Sequence, residues 1–475
     1  MPSRSLPLLA LSLIVPITVA AQQSASSSSQ LPRIANLCST SLDSTAFADS
    51  LHEPVAMRPV PVPSPLRGLY VNRWAAIGRT VWELIDVAKR TEVNALVIDV
   101  KDDRGFTLYR SQVPLAHEIG ADTVQPMTHA RLRALLDTMR VNGILPIARI
   151  VVIKDPLLAR AKTEWAIKRK SDGKPWLDKN GNPWLDPHQD GPWTYAAQLA
   201  CEAVRLGFGE VQFDYVRFPD DKRLVREAEF PLAHGRERAQ VIQEQLSSLR
   251  KRIAPFGVPV MADIFGLTTS DTTDMGIGQR WEMLIRSVDV VLPMMYPSHY
   301  APGTYGIAKP NAHPYAVIDS GLKDAKHRST GVTDAAEVIP WYQDFTLGPP
   351  HYGASQVRAQ IKAGYDNGVL SWILWNPGSH YTLAALRREI DLAADTARSA
   401  DSTVARRPDS ATAGRTDSVT ASRTDSATAG RADSTIVRRT DSTAVRRADS
   451  TAARHPDSAA VRHRQVRHRQ ARQRQ

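Results

Sequence analysis

Between about residues 65 and 392 the chain alternates short apolar runs with segments whose apolar positions recur every three to four residues. Runs of the first kind predict buried strands, and the second kind amphipathic helices. The predicted strands are 67–72, 95–100, 144–151, 211–213 leading into Asp214, 258–263, 288–295, 338–343 and 369–375. The predicted helices are 80–90, 129–141, 194–206, 236–253, 279–286, 314–326, 355–364 and 382–392. Eight strand-then-helix units in roughly 330 residues predict an α/β fold of the (β/α)8 TIM-barrel class. The strands are nearly continuous in apolar residues instead of alternating, as expected when both faces of a sheet are covered. A doubly wound open sheet would carry a glycine-rich phosphate turn after its first strand, and Val71-Asn72-Arg73-Trp74 is no such turn.

The flanks break this pattern. Residues 1–21 have a charged start at Arg4, an apolar stretch from Leu6 to Val19 and small residues at Val19 and Ala21, which predicts a signal peptide cleaved before Gln22. Residues 22–64 form a Ser/Pro-rich linker without periodicity, and 65–392 is the barrel. From 393 to 475 the chain is an eight-residue repeat, with Asp-Ser at 401, 409, 417, 425, 433, 441, 449 and 457. It has almost nothing large and apolar to bury, so disorder is expected. This tail holds 17 arginines against 9 aspartates, and so supplies most of the net charge of +11. The basic end suits contact with an anionic envelope surface and not specific nucleic-acid binding. The expected product is an exported monomer in the periplasm, cell envelope or extracellular space, with no transmembrane span once the signal is removed. The only cysteines are Cys38 and Cys201. Such scarcity argues against a disulfide framework; a Cys38–Cys201 bridge is open to the chain, but a small buried apolar residue is the preferred reading of Cys201.

In a barrel of this class the residues at strand C-termini share one mouth. They include Asn72, Asp99 with Lys101 and Asp102, Arg149, Asp214 followed by Tyr215 and Arg217, Asp263, Tyr296 with His299, Gln343 with Asp344, and Trp375 with Asn376. Asp214 and Asp263, on adjacent strands, are the expected catalytic pair for glycosidic hydrolysis, one ionised and one kept protonated by its neighbour and by burial. Arg217 is expected as the charge partner of Asp214 or as a substrate contact, and the other residues as substrate contacts. A plain structural reading also exists, in which Asp214 ends a strand and pairs with Arg217. Trp74, Trp176, Trp184, Trp193, Tyr215, Tyr296, Tyr300, Trp341, Trp372 and Trp375 are expected to supply flat faces for sugar rings. Packing in the core is the better account of Trp82, Trp281 and Trp372. No cofactor is expected. Asp99, Asp102, Asp103 and Asp263 could offer oxygens to a hard divalent cation, but no H-x-H, H-E-x-x-H or spaced Cys/His set is present. A G-x-S-x-G elbow is also lacking, which argues against an α/β-hydrolase esterase. The polar segment 266–278 after the fifth strand is expected to be a lid or positioning loop.

The segments RGLYVN (67–72), NALVIDVKDDRG (94–105), PIARIVVIKDP (146–156), VQFDYVRFP (211–219), ADIFGLTTSDTTDMGIGQ (262–279), PMMYPSHYAPGTYGI (293–307) and WNPG (375–378) resemble a bacterial family of putative glycoside hydrolases with a TIM-barrel domain. The resemblance runs from about residue 66 to 392. It groups the chain with glycosidase barrels, including those acting on α-linked glucans, whose nucleophile follows strand four and whose acid follows strand five. It implies Asp214 at the nucleophile position, Asp263 on the acid's strand where many such enzymes carry Glu, and Asp344 as a third, transition-state-stabilising carboxylate. Two functions follow as expectations. One is a secreted hydrolase of an extracellular or cell-envelope polysaccharide; the other is a barrel that binds glycan without cleaving it, in envelope assembly or adhesion.

Overall fold

The computed structural model describes residues 61–388. The leader at 1–21, all but the end of the linker, and the repeats from 393 lie outside the described residues. Eight parallel strands close into a barrel: β1 (Arg67–Val71), β2 (Ala95–Lys101), β3 (Leu145–Val151), β4 (Glu210–Asp214), β5 (Val260–Phe265), β6 (Val290–Met295), β7 (Trp341–Gln343) and β8 (Trp372–Trp375). Each strand pairs with its neighbours in chain order. The ring closes where β8 meets β1, with Arg67 opposite Trp372 and Leu69 opposite Leu374. The intervening helices are α1 (Thr80–Ala88), α2 (His129–Val141), α3 (Asp190–Leu206), α4 (Arg238–Ile253), α5 (Trp281–Leu284), α6 (Pro314–Ser329) and α7 (Ala354–Asp366).

The continuous apolar runs are explained by burial on both faces: every residue of β2 and β3 is buried. Successive side chains on a strand point to opposite faces, so each strand feeds two cores. Tyr70, Val97, Ile147, Met261, Leu292, Trp341 and Ile373 fill the barrel interior. Leu69, Leu96, Ile98, Ala148, Phe213 and Ala262 pack outward with the buried helix faces. Fully burying one such Leu or Ile contributes about 1.5–3 kcal/mol.

Several elements differ from the sequence expectation. The predicted seventh strand splits at Ile339-Pro340: Glu337 and Val338 pair with Val290 and Val291, and the barrel strand begins at Trp341. Pro340 has no N–H to give the ladder, although its carbonyl accepts from Ile373. The expected helix 279–286 is the short α5. The expected helix 382–392 is, in its described part, a 3-10 turn at Leu383–Ala385 followed by extended chain. There the Glu92 N–H donates to the Arg387 carbonyl, and the Arg387 N–H donates to the Glu92 carboxylate, so tertiary bonds replace helical ones.

The tryptophan-rich excursion after β3 is also not an open aromatic surface. Trp176, Trp184 and Trp193 are buried, and their indole N–H groups donate to the Leu224 carbonyl, the Asp178 carboxylate and the Pro187 carbonyl. Trp281 and Trp372 are core residues as expected, whereas Trp82 is 38% exposed. Cys201 is fully buried as expected, but it is disulfide-bonded and not a free thiol. The only other cysteine, Cys38, lies outside the described residues.

Candidate active site

Alternation along β1 to β5 turns Tyr70, Asp99, Arg149, Gln212, Asp214 and Asp263 toward the barrel axis. They meet around the guanidinium of Arg149, which serves three carboxylates from three different strands. Its Nη1 donates to Asp99 Oδ1 at 2.5 Å, its Nη2 donates to Asp214 Oδ2, and its Nε lies 3.5 Å from Asp263 Oδ2. Register brings this about: Asp99 stands opposite Arg149, and Val151, two residues along β3, stands opposite Asp214. Burial works against the Arg149 charge, but Asp214 and Asp99 outweigh it and hold the guanidinium well above its usual range.

One cation cannot cheaply neutralise three buried carboxylates, so protons are retained in the cluster. Burial, only partly offset by Arg149, pushes the Asp99 carboxyl up to about 6. The Tyr70 hydroxyl donates to its Oδ2 at 2.6 Å. Burial and then the neighbouring Asp214 charge push Asp263 well above the usual carboxylate range. Asp263 is 1% exposed, and Gln212 Nε2 (2.9 and 2.8 Å) and Trp341 Nε1 (2.7 Å) occupy its two oxygens.

Asp214 closes β4 and receives a second bond, from the N–H of Tyr215 to its Oδ1 at 2.5 Å. Tyr215 has φ 53, in the left-handed region that a bulky residue rarely occupies. Its ring lies between cations: Lys154 Nζ is 4.8 Å and the Arg217 guanidinium 5.1 Å from the ring centre. Lys154 Nζ is also 2.6 Å from Asp103 and 3.4 Å from the Tyr215 hydroxyl. Burial opposes the Lys154 charge, but Tyr215 and Asp103 outweigh it and hold the ammonium above the usual lysine range.

Across the barrel, aromatic residues after β6 to β8 form a wall. Tyr296 and Trp375 stack at 5.2 Å with 22° between planes, and Phe345 stands edge-on to Trp375 at 5.0 Å. His299 is exposed beside them, 5.4 Å from the Tyr296 ring.

Several expected contacts are engaged elsewhere. Arg217 is not the partner of Asp214: its Nη1 donates to the Phe218 carbonyl and to Asp220, and Arg149 takes its place. Lys101 is buried in a 2.6 Å pair with Asp155. Gly105 passes this pair at φ 94, and a Cβ there would come within 2.2 Å of the Asp155 carboxylate. Asp102 accepts from the backbone of Arg104 and Phe106 and pairs with the Arg104 side chain, so it shapes its own loop. Asp344 accepts from the N–H and hydroxyl of Thr382 at 2.8 and 2.6 Å, and burial, partly offset by these bonds, raises its carboxyl. The Gln343 side chain joins Ser298 to Phe345, and Asn376 donates to the Asp344 carbonyl at 2.5 Å. Segment 266–278 is tied down where Arg328 donates to the Thr268 and Asp271 carbonyls and where Phe218 donates to Ile277.

Of the carboxylates considered for a cation, Asp99 and Asp263 share Arg149, while Asp102 pairs with Arg104 and Asp103 with Lys154. Among the described residues no group of three or more His, Cys, Asp or Glu side chains is arranged to hold a metal ion. None of the described helices is long and apolar enough to cross a membrane. Sequence reasoning passed over Tyr70, Lys154 and Gln212, and considered Asp103 only as a cation ligand. Tyr70 and Lys154 were findable, since Lys154 lies three residues beyond the end of β3 and Tyr70 precedes the end of β1 by one residue.

A family model described as a putative glycosyl hydrolase domain matches residues 68–381. Among solved structures, a hypothetical protein from Ruminiclostridium thermocellum ATCC 27405 is 36% identical, covering 41% of this chain and 96% of its own with a TM-score of 0.37. The PgaB (BpsB) glycoside hydrolase domain from Bordetella bronchiseptica is 14% identical over 66% of this chain and 94% of its own, with a TM-score of 0.49. A GH20 exo β-N-acetylglucosaminidase from Vibrio harveyi, in complex with N-acetylglucosamine, is 12% identical over 68% of this chain and 54% of its own, with a TM-score of 0.42. Comparison with curated proteins finds no match.

Proposed function

Because the chain belongs to the putative glycosyl hydrolase domain family, we propose that it hydrolyses glycosidic bonds of an extracellular or cell-envelope polysaccharide, with Asp214 as the reacting carboxylate. The observation that carries this reading is the cluster of three carboxylates on one guanidinium at the strand ends. Glycoside hydrolysis needs one ionised carboxyl, as nucleophile or base, and one protonated carboxyl as acid. Asp214, which accepts from Arg149 and from the Tyr215 N–H, is the member placed to act as nucleophile or base. Asp99, pushed up to about 6 and hydrogen-bonded by Tyr70, is poised to give up a proton near neutrality. The Gln212 and Trp341 N–H groups on Asp263 can only donate, whereas the Tyr70 hydroxyl on Asp99 can also accept the proton of a protonated carboxyl, so in this reading Asp263 takes a supporting role. There it holds Arg149 and Gln212 beneath the reacting group. The stacked Tyr296–Trp375 wall, with His299 beside it, supplies the face against which a sugar ring packs.

In this reading, residues 1–21 are a removed leader, 22–64 a linker and 393–475 a basic tail that contacts an anionic surface. The disulfide at Cys201 supports an oxidising compartment, because such bonds persist in exported proteins. A second reading, a barrel that binds glycan without cleaving it, is favoured by the near-complete burial of all three carboxylates. A glycan-array screen followed by reducing-end release separates the two. Hydrolysis by the wild type that disappears in Asp214→Asn supports the enzyme. Binding by both proteins with no product from either would leave the binding module.

A further inference from the structure

Tyr215 is one of seven non-glycine residues at positive φ among the described residues, and the only one directly following a site carboxylate. A left-handed aromatic residue costs conformational free energy, so it persists only where its surroundings over-determine it. Those surroundings are present. Lys154, from the loop after β3, lies over one part of the ring and bonds Asp103, from the loop after β2. Arg217 approaches the ring from the same loop as Tyr215, and Trp184 meets it edge-on at 5.7 Å. The Tyr215 N–H donates to the Oδ1 of the preceding side chain at 2.5 Å, so whatever holds Tyr215 in place also holds this donor.

We propose that Tyr215 is a positioning residue, whose clamped ring holds in place the N–H that fixes Asp214 through Oδ1 while Arg149 fixes it through Oδ2. The Lys154–Asp103 ion pair is the remote part of the same device. Together they hold the carboxylate in one rotamer with a lone pair on each oxygen still open. The proposal rests on the reading of Asp214 as the reacting group, but its first test needs no substrate.

The test follows exchange of the residue-215 amide by NMR of the 15N-labelled full chain. In the wild type this amide exchanges slowly. In Asp214→Ala, where the acceptor is gone, exchange quickens by about ten-fold or more. Lys154→Met, which removes the ion pair from the ring, gives a similar increase. Tyr215→Phe keeps the ring and loses only the 3.4 Å hydroxyl contact, so it stays within about three-fold of wild type. Equal exchange in wild type and Asp214→Ala, with native circular dichroism, overturns the N–H bond. A folded Lys154→Met protein with the wild-type rate overturns the clamp. On the polymer identified by reducing-end release, Lys154→Met lowers kcat by about ten-fold and leaves KM within about three-fold. A change in KM alone would make Lys154 a substrate contact and overturn the positioning role. Absence of hydrolysis by the wild type would defeat the hydrolase reading while leaving the exchange result intact.

Discussion

Arg149→Met is the most informative perturbation of this barrel, because the arginine is 8% exposed and three carboxylates depend on it. Methionine fills much of the same volume but supplies no charge and no donor. Removing one partner of a buried ion pair costs about 3–5 kcal/mol, since the remaining charges stay buried and uncompensated. For a domain of roughly 330 residues, at about 1.5 °C per kcal/mol, the melting temperature falls by roughly 4–8 °C. The loss also carries a pH signature. Asp99 and Asp263 are already pushed up by burial with Arg149 present, and without it they rise further. A carboxyl raised in the folded state favours folding below its unfolded value, and that contribution is lost as pH rises through its folded value. The deficit of Arg149→Met against wild type is therefore largest above about pH 7 and shrinks toward about pH 4.5, where the orphaned carboxyls are protonated. Thermal melts of the full chain across that range, followed by calorimetry, measure it. A deficit under about 1 kcal/mol at pH 8, or an equal deficit at both ends, would refute the shared-cation account.

Asp263→Asn mimics a protonated carboxyl, and the buried Gln212 Oε1, which has no partner, can accept from the new amide after a flip. This variant is expected to keep more than about a tenth of wild-type polymer hydrolysis, whereas Asp214→Asn loses about a thousand-fold; reducing-end assays compare them. With Asp99 at about 6 as the proton donor, kcat/KM falls as pH rises through about 6, and Asp99→Asn abolishes that limb of the profile. At the opposite end of the barrel, burial pushes Glu210 up to about 8, with Glu337 and Asp289 adding to it. Its folded value is raised, so its contribution is lost as pH climbs through about 8, and Glu210→Gln raises the melting temperature at pH 9 more than at pH 6.

The barrel was legible because its strands are buried on both faces and so appear as unbroken apolar runs such as Ala95–Val100. The break at Pro340 was marked by the residue itself, yet Val338 and Trp341 on either side carried the pattern across it. Arg149 illustrates what the chain order hides. Arg217 lies three residues from Asp214, but parallel strands place the neighbouring strand's side chain closer than the next loop's. The excursion tryptophans were misjudged because Gly, Asn and Pro around Trp176 and Trp184 signal exposed turns. Their rings instead cover the segment between β4 and α4. Cys201 sits in an apolar helix face, where burial and pairing leave the same sequence trace.

The extended segment after β8 belongs to the folding unit. The family match stops at residue 381, one position before the Thr382 groups that satisfy Asp344 and six before the Arg387 N–H that satisfies Glu92. Both carboxylates are buried, and Glu92 also lies 3.4 Å from Arg67 and 3.4 Å from the Tyr365 hydroxyl. A recombinant fragment trimmed to the homology boundary strips two enclosed anions of their donors on opposite sides of the β8–β1 seam. It should express as an aggregation-prone species, while a longer one that includes Thr382 and Arg387 retains both donors.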